Sequence, residues 1–587
     1  MPDTKLTTQK SNLIAHQLAY QLPNGDHLFP ALNLSLPAGI TGLVGRNGCG
    51  KSILARLLVR DLQPVSGQLD YGGLSPDQIG YFSQLDPLHP QDKPNESASN
   101  TRSIADYLGI AEKLNALEQI EQGSCAPHWF EMLSEDWLVR ERLDQQLKAL
   151  SLPDDPFRPV QRLSGGQQTR LRLGSLFSRA NVFQLLILDE PSNHLDQEGR
   201  QWLSEQLVAF KGAVLLISHD FTLLNRVDRI WELDTDGITE YGGNLSFYQQ
   251  EKARQRAALL QEKSDLEKAA RKQRSEHQKS LEKAQQKAAQ GNRLRKSGSQ
   301  SKLLLDAKKE KAGNHLKSLN RRQENRDKQW AGQREQLQQR LSDRDEIRFD
   351  LNGPESDSCQ DDTKQSSKVS SPKELSRRTL ASLINYRLPR GHSQPITLQL
   401  NSTDRLYLRG CNGSGKSTLF KLLAGVSAEG ADSPEHSDNT TLSHQPSAFI
   451  YLDQHFNQQE GDRSLLDQVQ EAQTGLSESD ARTLLAGIGF RRDNVFQKTA
   501  TLSGGEKMRL TLLLISLENS RRAEQAFLLL DEPDNHLDLI SKQILADALK
   551  NYSGGFALIS HDEIFALSCG TETQYWLNPE EENRISP

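Results

Sequence analysis

Two glycine-rich loops in this chain have the residue spacing that cradles a phosphate chain. Residues 45–52 read GRNGCGKS and residues 410–417 read GCNGSGKS, so both match the pattern GxxxxGK[ST]. Each loop follows a short apolar run and precedes a helical pattern, which is the context that this motif requires. Glycines let backbone N–H groups curl around phosphate oxygens, and the N-terminus of the following helix adds a favourable dipole. The two loops therefore predict two nucleotide-binding sites.

The lysine and the serine that close each loop have separate roles in this chemistry. We expect Lys51 and Lys416 to reach the β- and γ-phosphates, and Ser52 and Ser417 to ligate Mg²⁺. ATP and Mg²⁺ are accordingly the expected nucleotide and metal. The residues predicted to surround the phosphates are Gly45, Arg46, Asn47, Gly48, Cys49, Gly50, Lys51, Ser52, Ile53, Gly410, Cys411, Asn412, Gly413, Ser414, Gly415, Lys416, Ser417 and Thr418.

Two apolar runs end in adjacent carboxylates. LLILDE ends on Asp189 and Glu190, and FLLLDE ends on Asp531 and Glu532. Burying two adjacent carboxyl groups without a cation is costly, so the pairs indicate a reaction site beside the lysine loops. The aspartates suit a Mg²⁺-organising role, and the glutamates suit a general base that polarises the attacking water.

Four motifs occur twice in the same order, which indicates two homologous halves. After each lysine loop come LSGGQ or LSGGE, then DEPSNHLD or DEPDNHLD, then ISHD. The halves are uneven, because 113 positions separate Lys51 from Ser164 whereas 87 separate Lys416 from Ser503. The first half therefore carries additional residues between its lysine loop and its LSGGQ motif. A chain of 587 residues also exceeds what one hydrophobic core usually supports.

The segment between the halves is basic, although the chain as a whole is acidic. The chain has 71 Lys+Arg against 77 Asp+Glu, whereas residues 251–340 hold 25 basic and 11 acidic residues. Helix-forming residues and the near absence of proline predict a helix over residues 247–290, a break near 291–301 and a second helix towards residue 341. The sparse apolar residues are enough for a two-helix seam but not for a globular core.

The turn of this predicted hairpin concentrates positive charge. A basic, solvated arm of this kind neutralises phosphates and releases counterions, which is the sequence-independent part of nucleic-acid affinity. The residues predicted to contact nucleic acid at the tip, which the resemblance described below identifies as RNA, are Arg293, Arg295, Lys296 and Lys302.

These patterns predict three domains of an α/β protein. Residues 1–246 form the first phosphate-loop domain, residues 247–345 the basic helical linker, and residues 346–587 the second phosphate-loop domain. A polar stretch at residues 352–372 is expected to be a mobile loop inside the last of them.

The motif set resembles that of the ATP-binding cassette ATPases. LSGGQ is the most specific of the shared motifs, and the resemblance covers nearly all of the chain outside the linker. It implies two cassettes that face each other head to tail within a monomer, so that the signature residues of each cover the nucleotide of the other. The signature residues are Ser164, Gly165, Gly166, Ser503, Gly504 and Gly505.

The same resemblance assigns further roles, residue by residue. Gln84 and Gln454 match the glutamine that senses Mg²⁺ and the attacking water, and His219 and His561 match the histidine that contacts the γ-phosphate. Tyr20 and Tyr386 are candidates to stack on adenine. The predicted catalytic residues are Glu190, Glu532, His219, His561, Gln84 and Gln454, and the predicted metal ligands are Ser52, Gln84, Asp189, Ser417, Gln454 and Asp531.

DEPxNHLD in both halves, together with a charged helical linker, resembles the ABC-F subfamily. This resemblance implies an ATPase that acts on ribosomes in the cytoplasm, with a linker hairpin that reaches rRNA and tRNA near the tRNA exit site. The additional residues of the first half then correspond to a small arm that contacts the ribosome. Whether such a factor serves general translation or antibiotic protection is open at this stage.

Two other classes of function compete with this interpretation. An ATPase subunit of a transporter would use the helices as a spacer, and a repair ATPase would bind DNA. No apolar run approaches the length that spans a bilayer, and residues 1–17 lack the apolar core of a secretory signal. The five cysteines have neither paired nor metal-ligand spacing, whereas cassette proteins of DNA repair typically carry zinc-ligating cysteines.

Overall fold

The computed structural model describes most of the chain outside several segments. The described residues are 13–23, 25, 27–83, 102–134, 136–234, 236–296, 321, 323, 325–337, 351–352, 378–388, 394–426, 441–454, 456, 463–473, 475–522, 524–535, 537–577 and 584–586. They divide into two compact units, one formed by Met1–Leu245 with Ile347–Pro587 and the other by Ser246–Glu346.

The first cassette is built on a mixed six-stranded sheet. Its strands, in spatial order, are Ile79–Phe82, Leu185–Asp189, Ala213–Ile217, Gly39–Gly45, Arg229–Asp234 and Gly237–Tyr241. The first five run parallel, and the last pairs antiparallel. The central runs LLILD and AVLLI are completely buried, as expected of parallel strands that are covered on both faces.

The second cassette repeats this arrangement. Its six strands, in spatial order, are Phe449–Leu452, Phe527–Asp531, Phe556–Ile559, Arg405–Gly410, Thr573–Leu577 and Arg584–Ser586. In both cassettes the strand before the lysine loop and the strand that ends in the acidic pair lie on either side of one intervening strand. Because parallel strands end at the same edge of a sheet, the lysine loop and the carboxylates meet there.

Each cassette also has a three-stranded antiparallel sheet. The strands are Leu32–Leu36, Leu13–Ala19 and Ser66–Asp70 in the first cassette, and Ile396–Asn401, Thr379–Tyr386 and Thr441–His444 in the second. The inner faces of these strands join the core of the large sheet, so that Leu18 and Trp231 belong to one hydrophobic cluster and Leu383 and Tyr575 to another.

Helices cover the sheets and form a separate hydrophobic cluster in each cassette. In the first cassette they are Lys51–Leu58, Ile104–Tyr107, Ala111–Glu121, Pro127–Leu133, Val139–Ala149, Gly165–Ser178, Gln197–Ala209 and Phe221–Leu224. In the second they are Lys416–Leu423, Leu465–Ala472, Glu478–Gly487, Gly504–Arg521, Leu539–Lys550 and Glu563–Ser568.

Most of the additional residues of the first cassette lie in its helical part. In that part, 61 positions separate Ser103 from Ser164, against 39 between the equivalent Ser464 and Ser503. Helices Ala111–Glu121 and Pro127–Leu133 have no counterpart among the described residues of the second cassette.

The second unit contains one helix of 52 residues, Leu245–Lys296, and a helical stretch at residues 325–337. The long helix extends about 78 Å at 1.5 Å per residue. It does not break at Gly291, where the sequence predicts an interruption, because one glycine costs only about 1 kcal/mol inside a helix of strong helix formers. An ion pair of 3.7 Å between Arg274 and Asp327 joins the two helical stretches as a hairpin would. Among the described residues, no helix has the length and apolarity needed to cross a membrane.

Candidate functional site

Both lysine loops turn between a buried strand and a helix that begins at the lysine itself. Lys51 Nζ donates hydrogen bonds to the carbonyl oxygens of Gly45 at 2.8 Å and Arg46 at 3.1 Å. Lys416 Nζ makes the same pair of contacts to Gly410 at 2.7 Å and Cys411 at 3.0 Å. The lysine therefore folds back over its loop, and its ammonium group faces the concavity that the loop backbone forms.

Glycine is required inside these loops by the backbone conformation. Gly50 and Gly415 precede the helices with φ angles of 99° and 102°, a left-handed region that side chains disfavour. The sharp turn aims the first N–H groups of each helix at the space above the loop, where an anion is stabilised.

The second site has a closely connected acidic cluster at the end of strand Phe527–Asp531. The Ser417 hydroxyl donates to Asp531 Oδ1 at 3.1 Å, and the Tyr451 hydroxyl donates to Asp531 Oδ2 at 3.0 Å. Burial raises the pKa of Asp531, and these two hydrogen bonds oppose that increase. Serine, lysine loop and aspartate thus converge as the sequence predicts.

Glu532 is held by three side chains. Gln454 Nε2 donates to Glu532 Oε2 at 2.8 Å, Asn535 Nδ2 donates to the same oxygen at 2.6 Å, and His561 Nε2 lies 3.1 Å from Glu532 Oε1. Burial acts to raise the pKa of Glu532, but the contact with His561 and the charge of Lys416 outweigh it and the pKa is lowered. Glu532 is therefore ionised and can accept a proton.

At the first site, the described residues show one side-chain contact to the glutamate. His219 Nε2 lies 3.4 Å from Glu190 Oε1, and burial raises the pKa of Glu190 to about 7. Burial also lowers the pKa of His219 well below its ordinary value, an effect that the charges of Lys51 and Lys542 reinforce. Gln84 lies outside the described residues, so its predicted contact stays a prediction.

Glu190 and Glu532 share an unusual backbone conformation. Both have a φ angle of 49°, and their backbone N–H groups donate to Ile217 and Ile559 at 2.9 Å and 3.0 Å. A non-glycine residue in this left-handed region lowers the stability of the fold by about 1–3 kcal/mol. The hydrogen bond to the neighbouring strand helps to offset this cost. The conformation turns each glutamate out of its strand toward the adjacent histidine.

The loops of one cassette face those of the other. Asn47 in the first lysine loop donates its backbone N–H to Asp538 Oδ2 of the second cassette at 3.2 Å. In the opposite direction, a Cβ atom placed on Gly166 would lie 3.9 Å from Asn412 Nδ2 in the second lysine loop. The signature helices begin with Ser164 and Ser503 as capping residues, so their first N–H groups point out of the helix end. Each lysine loop thus lies near a segment of the other cassette, and coverage of its nucleotide by the other cassette's signature residues stays a prediction.

The two tyrosines predicted to stack on adenine lie in different surroundings. Tyr20 is half-buried and packs against the first core, whereas Tyr386 is only 5% exposed within the second core. Stacking by either residue stays a prediction. The backbone of Arg293, Arg295 and Lys296 belongs to the long helix, and Lys302 lies outside the described residues.

Several site residues are not among those predicted from the sequence. Tyr451 supports Asp531, Asn535 supports Glu532, and Asp538 binds the opposite lysine loop. The motifs YxxQ and NHLD, which contain these three residues, occur in both halves of the chain. Their repetition could have identified these positions as part of the site. What the motifs do not reveal is which atom each side chain contacts.

The carboxylate groups fit a magnesium ion. Asp189 Oδ1 is buried without a hydrogen-bond partner among the described residues, and the paired oxygens of Ser417 and Asp531 face each other at the second site. Hydroxyl and carboxylate oxygens are the ligands that Mg²⁺ prefers. Asp189 with Ser52, and Asp531 with Ser417, are therefore the residues that would hold it.

Replacing Tyr451 by phenylalanine is expected to weaken Mg²⁺-dependent ATP binding at the second site about tenfold, the usual effect of losing a partner of a metal ligand. The change leaves Asp531 Oδ2 buried without its donor, which costs about 1–3 kcal/mol of stability. Thermal unfolding and nucleotide titration measure the two effects. Tyr575→Phe is the matched control, because the Tyr575 hydroxyl donates to Thr397 O at 3.2 Å instead. Equal ATP affinity in the two variants would contradict this role of Tyr451.

Comparison with known proteins gives consistent matches over most of the chain. The family model described as "ABC transporter" matches residues 30–193 and 393–535. The Escherichia coli protein named "Probable ATP-binding protein YheS" is 30% identical over 542 residues, which cover 90% of this chain and 72% of that protein. The "Energy-dependent translational throttle protein EttA" of Mycobacterium tuberculosis is 28% identical over 554 residues, covering 92% of this chain and 87% of that protein.

A solved structure shares the fold at low sequence identity. The crystal structure of the complex of the archaeal ribosomal stalk protein aP1 and the archaeal ribosome recycling factor aABCE1 matches with a TM-score of 0.51 at 16% identity. The match covers 97% of this chain and 89% of that chain.

Proposed function

Because the chain belongs to the ABC-F subfamily of the ATP-binding cassette ATPases, we propose that it is a ribosome-associated ATPase whose cassettes control the basic hairpin. It hydrolyses ATP to ADP and phosphate. The observation that carries the proposal is the pairing of two complementary cassettes with a helix of 52 residues in a segment of strong positive charge. The name of its relative EttA, a translational throttle protein, supports a role in translation.

At each site the proposed chemistry is in-line attack of water on the γ-phosphate. Lys51 and Lys416 neutralise charge on the β- and γ-phosphates, and the loop N–H groups hold the phosphate oxygens. Glu190 and Glu532 orient the attacking water and accept its proton. Bound Mg²⁺ supplies charge neutralisation at the phosphates. At the second site, contacts with Gln454, Asn535 and His561 keep the glutamate ionised and directed.

The signature helix of each cassette completes the site of the other. The N-terminal N–H groups that follow Ser164 and Ser503 would bind the γ-phosphate from across the interface, because a helix N-terminus stabilises an anion. ATP thus links the two cassettes, and its hydrolysis removes the link. The contact between Asn47 and Asp538 lies beside this position and adds a direct connection between the cassettes.

The contact between the hairpin and RNA would depend on which nucleotide the cassettes bind. We place Arg293, Arg295, Lys296 and Lys302 at its tip, where their charge would neutralise phosphates of rRNA or tRNA near the tRNA exit site. The additional helices Ala111–Glu121 and Pro127–Leu133 of the first cassette are a candidate second contact with the ribosome. The three-domain division at residues 246 and 346, a monomeric state and a cytoplasmic location belong to the same proposal.

Stimulation of ATP hydrolysis by purified ribosomes tests this function. We expect ribosomes to raise kcat at least fivefold, whereas duplex DNA at equal phosphate concentration leaves kcat within twofold of its basal value. An arm that binds a structured RNA surface can favour one state of the cassettes and so change kcat. If the effect came from positive charge alone, ribosomes and duplex DNA would change kcat equally. Malachite-green or coupled-enzyme assays measure the rates.

Two outcomes would favour other functions. Equal stimulation by DNA and ribosomes would indicate a general polyanion effect. No stimulation by either, together with recovery in a membrane fraction, would favour the ATPase subunit of a transporter. Within the proposed class, protection of translation from an antibiotic in a reconstituted system would separate an antibiotic-protection factor from a general translation factor.

A further inference from the structure

The buried interface between the cassettes is asymmetric although the motifs on its two sides are the same. ISHD ends on Asp220 in the first cassette and on Asp562 in the second. The Asp220 carboxylate is bound within its own cassette, by the backbone N–H of Leu223 at 3.0 Å and by an ion pair with Arg200. Asp562 accepts the equivalent backbone N–H, that of Phe565, at 3.1 Å within its own cassette, and it also reaches across the interface.

Asp562 binds the segment that follows His219 in the first cassette. Its Oδ2 accepts the backbone N–H of Phe221 at 2.7 Å, and its Oδ1 accepts the Thr222 hydroxyl at 3.3 Å. Asp562 is completely buried, and Phe221 is 2% exposed. A charge-assisted hydrogen bond in such a place is about twice as strong as one between neutral groups. The contact therefore restrains the backbone two residues from His219.

Lys542 of the second cassette holds this contact together. Its Nζ lies 3.8 Å from Asp562 Oδ2 and 3.7 Å from Asp534 Oδ2. It also lies 5.8 Å from the ring centre of Phe221 and 5.9 Å from that of Phe565, and the two rings, one from each cassette, meet edge to face. The ammonium group of Lys542 therefore lies between the two phenylalanine rings and the Asp562 carboxylate, at the place where the cassettes meet.

A cavity connects this cluster with the first site. Its volume is about 200 Å³, and Glu190 and His219 line it together with Lys542 and Asp534. The residue equivalent to Lys542 in the first cassette is Arg200, which donates Nε to Leu195 O at 3.1 Å as well as pairing with Asp220. Arg200 therefore makes its hydrogen bonds within the first cassette, although the charges of Asp562 and Asp534 also act on it from the second.

The contacts that hold the two glutamates and histidines differ among the residues that the structure describes. Glu532 is held by Gln454, Asn535 and His561 from within its own cassette. His219 Nδ1 has no hydrogen-bond partner among the described residues, so the orientation of its ring depends on the contact of Nε2 with Glu190 and on the backbone that carries it. That backbone is what Asp562 binds.

We propose that Asp562 and Lys542 of the second cassette are positioning residues for ATP hydrolysis at the first site, because they hold across the interface the segment that carries His219. A shift of the segment that contains His561 and Asp562 would therefore move the segment that carries His219. The proposal rests on the proposed roles of Glu190 and Glu532 and goes beyond them.

Single-site backgrounds test it. Glu532→Gln leaves turnover to the first site, and Glu190→Gln leaves it to the second. Lys542→Met is expected to lower kcat at least tenfold in the first background with KM for ATP within twofold, and to change kcat less than twofold in the second. Lys542→Arg should restore most of the loss. Thr222→Val, which removes one contact to Asp562 and no charge, should lower first-site kcat two- to fivefold and keeps the test valid if Lys542→Met folds poorly.

Arg200→Met is the matched control. The proposal expects it to reduce turnover at the first site, whereas a symmetric interface would make it reduce turnover at the second. An equal fall of both sites in Lys542→Met, or no fall in either, would overturn the proposal. Residual turnover in Glu190→Gln/Glu532→Gln would instead overturn the assignment of the two glutamates on which it rests.

Discussion

Replacing Glu190 and Glu532 together by glutamine is expected to reduce ATP turnover by about 10²–10⁴-fold, the usual contribution of a positioned general base. Glutamine has the same shape, and its carbonyl oxygen can still accept a hydrogen bond from Gln454 or Asn535 at the second site. It cannot accept the proton of the attacking water. Binding of ATP, which depends on the lysine loops, should remain within a few fold of that of the unmodified protein.

The same variant is expected to accumulate on ribosomes in the presence of ATP. If hydrolysis separates the cassettes and releases the protein, a variant that binds ATP without hydrolysing it stays in the ATP-bound arrangement. Co-sedimentation with ribosomes in ATP, compared with ADP, measures this directly. Co-sedimentation no stronger than that of the unmodified protein would count against the ATP-driven cycle.

A matched control separates the site from a general effect of losing two carboxylates. Glu205 and Glu478 lie exposed on helices of the first and second cassettes, where Glu205 accepts a hydrogen bond from Gln201 at 3.2 Å and Glu478 pairs with Arg482. Glu205→Gln/Glu478→Gln makes the same change in charge. Because exposed ion pairs contribute at most about 1 kcal/mol, this control should retain full turnover and normal release.

Neutralising the tip of the hairpin is expected to weaken ribosome binding on the order of 100-fold at about 0.15 M salt while leaving ribosome-free ATP hydrolysis unchanged. The variant carries glutamine at Arg293, Arg295, Lys296 and Lys302. Each phosphate contact contributes about 0.7–0.9 to the slope of log affinity against log salt, so the slope should fall by about 3. Titration of labelled ribosomes at several salt concentrations measures both quantities.

A second variant tests whether ribosome binding depends on where the positive charge lies along the helix or only on how much charge there is. Lys268, Arg271, Lys272 and Lys279 lie exposed on the same helix, and their replacement by glutamine removes the same charge nearer the middle of the arm. We expect that variant to lose less than tenfold in affinity. If both variants lost affinity equally, the arm would act as a diffuse polycation. If the tip variant also lost ribosome-free hydrolysis, the tip would have a structural role.

The sequence predicts the plan of the cassettes because their motifs depend on local geometry. A GxxxxGK[ST] loop between an apolar strand and a helix can fold in few ways, and DE at the end of a buried strand must lie at the edge of the sheet. The two lysine contacts and the approach of Ser417 to Asp531 follow from this. The observed linker helix is longer than the predicted one. Gly291 suggests the end of a helix, but the strong helix formers on both sides of it outweigh the cost of one glycine.

The differences between the two sites come from tertiary structure. Glu190 and Glu532 occur in the same motif and have the same φ angle, yet burial raises the pKa of Glu190 to about 7, while contacts from His561 and other neighbours lower that of Glu532. The neighbours of Glu532 that cause this difference lie in other segments of its cassette, whereas Lys542 of the other cassette acts against the difference by lowering the pKa of Glu190. No local pattern records them.

The amino-acid sequence by itself thus determined the two cassettes, their phosphate loops and acidic pairs, and the segregation of positive charge into the linker. These properties depend on residue type and spacing along one stretch of chain. Only the tertiary structure decided that Asp562 binds the neighbouring cassette as well as its own, while the hydrogen bonds of Asp220 lie within its own cassette. The partner of a buried carboxylate depends on which groups meet it across the interface. Here Asp562 meets the backbone N–H of Phe221, which lies 341 positions away in the sequence.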